Sequence, residues 1–354
     1  MNNMLRNRKK PVKLACLYIC KMLGLFSLAR WVTRRGVRIL CYHAVWLGED
    51  KFAGDAMFMT QACFERRLDL LVRLGYSVIS LSAAADAICG RGAIPAGSVV
   101  ITIDDGWYSS MYMLNALGHR DMVATLYCDT AHLQAGLPVA HVMASYLLKI
   151  AHPISQDGVL LDNCDRAGDR SLAIETRLEA ARNVATIAGI DADEYLERRA
   201  FNYMTAKELR RIADSGFDIQ LHTHRHTMHD LSREWLRKEI GDNRRELAQI
   251  LGRDPLSFRH FCYPSGIAGE HLCEQLDQLG IQSSTTTQTG LAWPGANKHL
   301  LPRILDGGHL CAIEFEAEIS GFNELIRPLT RPLRRLAMQR STFTDKKSEA
   351  GYGT

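Results

Sequence analysis

Short apolar runs alternate with longer segments of helical period along most of this chain. Residues 37–43 (VRILCYH) form an apolar run closed by polar side chains, the pattern of a buried strand. Residues 61–74 then place Phe64, Leu68, Leu71 and Leu74 at helical spacing and stop at Gly75. The same reading gives a strand at 77–81, a helix at 81–89, a β-branched strand at 98–103 (SVVITI) bounded by Asp-Asp-Gly, and a strand at 123–128. Strands alternating with helices specify an α/β fold with a largely parallel sheet.

The alternation lapses over about residues 132–203, which read as a polar, helical insertion with its clearest helices at 142–150 and 172–188. It resumes with a helix at 205–215, a strand at 217–221, a helix at 233–251, a strand at 258–263, a helix at 269–279 and a strand at 281–285. Residues 283–290 (SSTTTQTG) read as a polar rim loop, and residues 301–304 (LPRI) could bring Arg303 to the same rim. The pattern divides the chain into a leader at 1–36, a body at 37–320 and a basic tail at 321–354, expected to be mobile.

The leader admits three readings. Its apolar stretches, 14–20 and 22–29, are split by Lys21, and neither reaches the roughly 20 residues a membrane span needs. Leu14, Tyr18, Met22, Leu25, Ala29 and Val32 recur at three- and four-residue steps, as on one face of a helix. Such a basic amphipathic helix through residues 1–35 would lie on a membrane surface, or pack on the protein's own body. A small-x-small site at 27–29 suggests a signal peptide, the weaker reading because Lys21 interrupts the apolar region.

Composition narrows the class. The 354 residues are 47% apolar and 23% charged, which excludes a disordered chain, a collagen and a small disulfide scaffold. The net charge of +4 is too small for a general nucleic-acid binder. Its distribution is uneven: residues 1–48 hold ten basic and no acidic side chains, leaving 33 basic against 39 acidic in the remainder. The C-terminal end is basic again, with Arg327, Arg331, Arg334, Arg335 and Arg340. Ten cysteines without any C-x-x-C pair suit a reducing compartment, so the expectation is a cytoplasmic protein, peripheral on the inner membrane if the leader binds there. Oligomeric state is left open.

Two clusters carry the candidate chemistry. Asp104 and Asp105 follow the 98–103 strand directly, where α/β folds place active sites, and adjacent carboxylates can divide metal binding from base catalysis. Asp-Gly is also common in plain turns. His222, His224, His226 and His229 fall within eight residues of a chain that has thirteen His. With His222 and His226 four apart, both rings could face one ion, and two His plus a carboxylate make an open three-ligand site. Tyr263-Pro264 could form a groove wall after its strand, although an ordinary strand exit reads the same way. No G-x-S-x-G elbow, phosphate loop or G-x-G-x-x-G is present.

In this order, these residues resemble the NodB-homology polysaccharide deacetylases, carbohydrate esterase family 4, over roughly residues 37–320. Thr102-Ile103-Asp104-Asp105-Gly106 is similar to the family's T/S-F-D-D-G motif, and His222-Thr223-His224-Arg225-His226 to its H-S/T-x-x-H motif. Cys41-Tyr42-His43 and the stretch 64–81 resemble the family's usual start. The resemblance implies a distorted (β/α) barrel of about seven strands with a helical insertion. It implies that Asp105, His222 and His226 hold a divalent metal, usually Zn2+, and that Asp104 is the general base. The implied reaction is hydrolysis of N-acetyl groups on an acetylated glycan substrate, releasing acetate and a free amino sugar.

The chain also departs from that pattern. The third motif commonly reads R-x-P-Y, with an Arg that orients the base, whereas Cys262 occupies that place within Phe261-Cys262-Tyr263-Pro264-Ser265-Gly266. This resembles a variant of exopolysaccharide-associated members and leaves the orienting role open. The family's D-W motif is not recognisable near 283–290. His309, in a Gly-rich stretch after Arg303, is the candidate general acid, and Tyr263 and Arg303 are candidate substrate contacts. The alternatives are an O-deacetylase or other amidohydrolase on the same scaffold, and a catalytically weak glycan-binding protein.

Overall fold

The computed structural model describes residues 2–48, 56–133, 137–150, 158–169 and 171–328, with side chains from residue 11 onward. The chain forms two compact units, Gly36–Leu310 and a second made of Met1–Arg35 with Cys311–Thr354. Most of the tail expected at 321–354, including Arg331, Arg334, Arg335 and Arg340, lies outside the described residues.

Among the described residues the larger unit holds ten strands: β1 (Arg38–Tyr42), β2 (Ala44–Val45), β3 (Phe58–Met59), β4 (Ser77–Val78), β5 (Ser98–Ile103), β6 (Thr125–Cys128), β7 (Asp218–Leu221), β8 (His260–Cys262), β9 (Ser283–Thr289) and β10 (Leu301–Leu305). All pairings among them are parallel. Leu40 of β1 stands opposite Ile304 of β10 on one side and Ile101 of β5 on the other. That double pairing closes β1, β10, β9, β8, β7, β6 and β5 into a seven-stranded barrel, as the family resemblance implies. On the edge of β5 away from β1, β4 pairs with Ser98 and Val99, and β6 takes over at Thr102 and Ile103. Burial on both faces explains why β1 and β5 read as unbroken apolar runs.

Local signals set the helix ends. Thr60 caps the helix Gln61–Arg73 by accepting from the Cys63 N–H, and Gly75 follows at φ +71°. Ser232 caps Arg233–Leu251, and Gly252 ends it in the left-handed region at φ +62°. The described residues of the insertion form four helices: Ala140–Ile150, Gly158–Gly168, Ile174–Ala188 and Ala192–Glu197. It is anchored by aromatic packing, with Trp46 stacked on Tyr146 at 5.2 Å and Phe58 edge-on to Tyr146 at 4.8 Å.

Two expectations need correction. Residues 283–289 are a strand, not a rim loop, and their first four side chains are buried. The hydroxyls make this possible because each finds a partner inside: Ser283 and Ser284 meet His260 and His299, Thr285 meets the Tyr127 hydroxyl, and Thr286 donates to the Leu301 carbonyl. The helix expected over 269–279 is divided into a 3-10 turn at Glu270–Leu272 and a short helix at Cys273–Gln278.

In the smaller unit, helices Asn2–Met22 and Leu25–Val32 meet at Gly24, whose φ of +76° turns the chain; the segments Pro11–Met22 and Leu25–Val32 are bent by 74°. The bend breaks the single stripe expected from Leu14 to Val32. Leu17, Phe26 and Ala29 are buried, while Tyr18, Met22, Leu25 and Val32 are exposed. Leu17 and Phe26 pack with Ile313 and Ala317 of the helix Ala312–Ile319, and Phe26 meets Phe322 at 5.1 Å. Lys13 and Lys21 bind Glu314 and Glu316 at 2.7 and 2.6 Å. Among the described residues, no single helix is long and apolar enough to cross a membrane.

Candidate metal centre and base

The chemistry-bearing residues gather where the barrel strands end. Asp104 and Asp105 leave β5, His222 leaves β7, Cys262 ends β8 and His43 follows β1. Asp105 adopts φ +74°, a conformation an Asp tolerates better than most residues, so the two neighbouring carboxylates take different directions. Gly106 follows at φ +88°, where a Cβ would stand 3.0 Å from the Cys128 sulfur.

Asp105 is the hub of a three-residue cluster. Its Oδ1 lies 3.1 Å from His222 Nε2 and 3.2 Å from His226 Nε2. One donor atom from each of the three lies within 4.8 Å of the others. Burial alone would raise the Asp105 pKa, but the His226 charge and hydrogen bonds from both rings carry it well below the ordinary carboxylate range. Its other oxygen accepts from Trp107 Nε1 at 2.8 Å. Trp107 stacks on Tyr203 at 4.8 Å, so the end of the insertion supports this carboxylate. His222 directs its second nitrogen to the Cys262 carbonyl at 2.8 Å, leaving Nε2 for the cluster. Two imidazoles and a carboxylate with oriented outer partners suit a divalent transition metal.

The histidine loop is held from outside by one helix. Asn243 accepts the His222 N–H at 3.0 Å and donates to the Cys128 carbonyl and Thr130 hydroxyl. Glu239 accepts the N–H groups of His224 and Arg225 and forms an ion pair with the Arg225 guanidinium. His226 itself sits at φ +50° and Thr223 at φ +61°, strained values that these anchors sustain. His224 turns away to Thr130 at 2.9 Å, and His229 lies against Trp235. Sequence reasoning missed Glu239 and Asn243. Their signal was a pair of polar residues one turn apart on the buried face of an otherwise amphipathic helix.

Asp104 has a different environment. Arg303 of β10 grips it with two nitrogens, each 2.7 Å from one carboxylate oxygen. The same guanidinium donates to the Thr286 carbonyl and the Thr102 hydroxyl, and stands 3.1 Å from the Cys262 sulfur. Cys41 and Cys262 approach Asp104 Oδ2 at 3.5 and 3.4 Å. Burial would lift the Asp104 pKa, but the charge and hydrogen bonds of Arg303 outweigh it and bring it down to about 2. The carboxylate is therefore anionic and fixed in direction at neutral pH.

Three expected roles shift as a result. Arg303 is not at the substrate rim: it is fully buried, because its strand position points into the barrel, and it binds Asp104. It supplies the guanidinium that the chain lacks at position 262. Tyr263 is not a groove wall either, being 1% exposed with its hydroxyl donating to the His299 carbonyl. His309 is exposed on the loop after β10 and is not a member of the clustered donors. His43 is a member, grouped with Cys41 and Asp104, and its Nδ1 is buried without a hydrogen-bond partner among the described residues.

A cavity of about 600 Å³ opens at the opposite end of the barrel, lined by Asp218, His260 and Gln282 near the strand starts. Both ring nitrogens of His260 are already engaged by Ser82 and Ser283. The chemistry lies at the other end of the strands.

Comparisons with known proteins bear on family and fold. A family model described as polysaccharide deacetylase matches residues 91–284. No curated protein matches the chain. Among solved structures, IcaB from Ammonifex degensii aligns with a TM-score of 0.54 at 16% identity, covering 81% of this chain and 97% of its own. The Streptococcus pyogenes deacetylase PplD, solved with acetate, gives 0.54 at 15% identity, covering 80% and 98%. The BpsB deacetylase domain from Bordetella bronchiseptica gives 0.50 at 14%, covering 76% and 95%. At such identities the structural likeness is one of fold.

Proposed function

The chain belongs to the polysaccharide deacetylase family, and from that premise we propose that it hydrolyses N-acetyl groups of an N-acetylhexosamine-containing polysaccharide or oligosaccharide. The observation that carries this reading is the pairing of two unlike sites: a three-donor cluster on Asp105 beside an anionic carboxylate, Asp104, clamped by a buried arginine. Asp105, His222 and His226 would hold a divalent ion, in our reading zinc, which suits two imidazoles and one carboxylate. Such an ion supplies a bound water with a pKa near 7 and polarises the acetamide carbonyl.

The residues of this chain then divide the proton work. Asp104 accepts a proton from the attacking water. Its low pKa makes it a weak base for bulk water, so it fits only a water already acidified. Arg303 keeps both carboxylate oxygens in place throughout. His43 is our choice for the acid that protonates the leaving amine, because it faces both carboxylates while His309 stands outside the cluster. The products are acetate and the free amine.

The variant third motif around Cys262 supports a role in exopolysaccharide synthesis. Ten unpaired cysteines support a reducing, cytoplasmic location. Substitution of Asp104 by Asn tests the division of labour. We expect turnover to be lost with metal content retained, whereas His222→Ala should lose metal; loss of metal in Asp104→Asn would overturn the assignment.

A further inference from the structure

The leader helices have two apolar faces, and the smaller unit uses only one. Leu17, Phe26 and Ala29 are buried in that unit. Away from them, Val12 and Ile19 on the first helix and Leu23 just past its end follow each other at helical spacing, and Leu25, Leu28 and Val32 do so on the second. These side chains stand in the open, and so do their neighbours Met22 and Trp31: Leu23 is 70% exposed, Met22 86% and Trp31 62%. Single exposed apolar residues are ordinary, but a continuous run over two helices marks an interaction surface.

Charge identifies what would cover it. The first 48 residues contain no acidic side chain. In the smaller unit, Glu314 and Glu316 are engaged by Lys13 and Lys21, and Glu318 and Glu324 by Arg327. Arg30 and Arg35 border the second helix, and Arg34 lies over the Trp31 ring at 4.8 Å. An apolar stripe with an interfacial tryptophan and a purely cationic border fits acyl chains beneath anionic headgroups. We propose that the outward face of residues 12–35 docks in the plane of an anionic phospholipid bilayer. A spanning arrangement would carry the Lys13–Glu314 and Lys21–Glu316 pairs into hydrocarbon, where charged groups are strongly disfavoured. The turn at Gly24 also bends the two helices by 74°, so they do not form one straight span.

The test is sedimentation of the full-length chain with vesicles of phosphatidylglycerol and phosphatidylcholine, or of phosphatidylcholine alone. Binding should favour the anionic vesicles and weaken at high salt. Ile19→Glu/Leu23→Glu/Trp31→Glu should lower partitioning at least about tenfold, with the melting temperature unchanged because all three side chains are exposed. Arg30→Gln/Arg35→Gln, which leaves the apolar stripe intact, should lower it by about tenfold or more. Absence of binding, equal binding to neutral vesicles, or unchanged binding by both variants would overturn the proposal. So would a wild-type dimer that the triple variant converts to monomer without any vesicle binding, since the stripe would then be covered by a second copy.

Discussion

Replacing Arg303 by Met probes the joint between fold and chemistry. The guanidinium is fully buried and makes two charge-assisted bonds of 2.7 Å to Asp104, with further bonds to Thr286 and Thr102. Hydrogen bonds to charged groups contribute about 1.5–3 kcal/mol each, so the two carboxylate bonds together represent about 3–6 kcal/mol. Breaking a buried ion pair from one side costs about 3–5 kcal/mol, because the remaining charge is left without compensation. Arg303→Met should therefore destabilise the protein by about 3–5 kcal/mol in urea or guanidinium unfolding. The double variant Asp104→Asn/Arg303→Met removes that stranded charge, so its cost should fall short of the summed single costs by at least about 2 kcal/mol. Turnover in Arg303→Met should drop by about 100-fold or more as the base loses its charge and direction. Arg303→Lys should recover stability better than turnover, because an ammonium cannot reproduce the two-pronged grip. A single variant within about 1 kcal/mol of wild type, or strictly additive costs in the double variant, would refute the reasoning.

Three further outcomes rest on other residues of the larger unit. Asn243→Ala leaves the His222 N–H and the Cys128 carbonyl without their partner, so it should cost about 2–4 kcal/mol in denaturant unfolding and weaken metal binding by about 10–100-fold in competition with a chelator. His43→Gln should reduce turnover by about 100-fold while His309→Gln leaves it near wild type, as read by acetate release; the reverse ranking would return the acid role to His309. Glu208 caps its helix by accepting the Thr205 N–H and also binds Arg199, so Glu208→Ala should cost about 1–2 kcal/mol. Burial raises the Glu208 pKa, but the Arg199 and Thr205 bonds outweigh it and lower the net value below 4.5. The stability it adds is thus present above about pH 4.5 and lost as pH falls through the folded value, so wild type and variant should converge in acid.

The parallel α/β alternation was legible because burial on both faces demands unbroken apolar runs, and β5 reads so clearly that its ends match residues 98–103, whereas closure into a barrel came only from the family resemblance. The cluster of Asp105, His222 and His226 was legible because each residue directly follows or closely trails a strand end. β9 was only partly so: its first three residues fall in the strand read at 281–285, but a strand lined with Ser and Thr looks like a loop until its hydroxyl partners are seen. Arg303 was found but given the wrong place. Its sequence neighbourhood says nothing of Asp104, which lies 199 residues away and meets it only when β10 closes the barrel on β1. The second apolar face of the leader was hidden by the turn at Gly24, which shifts the phase of the second helix.

The central claim is that Asp105, His222 and His226 hold a metal on which acetate release from an N-acetylated glycan depends. We would measure acetate released from N-acetylglucosamine oligomers, and in parallel from an O-acetylated glycan, using protein stripped by chelator and then reloaded with zinc. The account predicts no release after stripping, recovery on reloading with the N-acetylated substrate, and no recovery in His222→Ala. Release that persists in the stripped enzyme, or that appears only with the O-acetylated glycan, would contradict it.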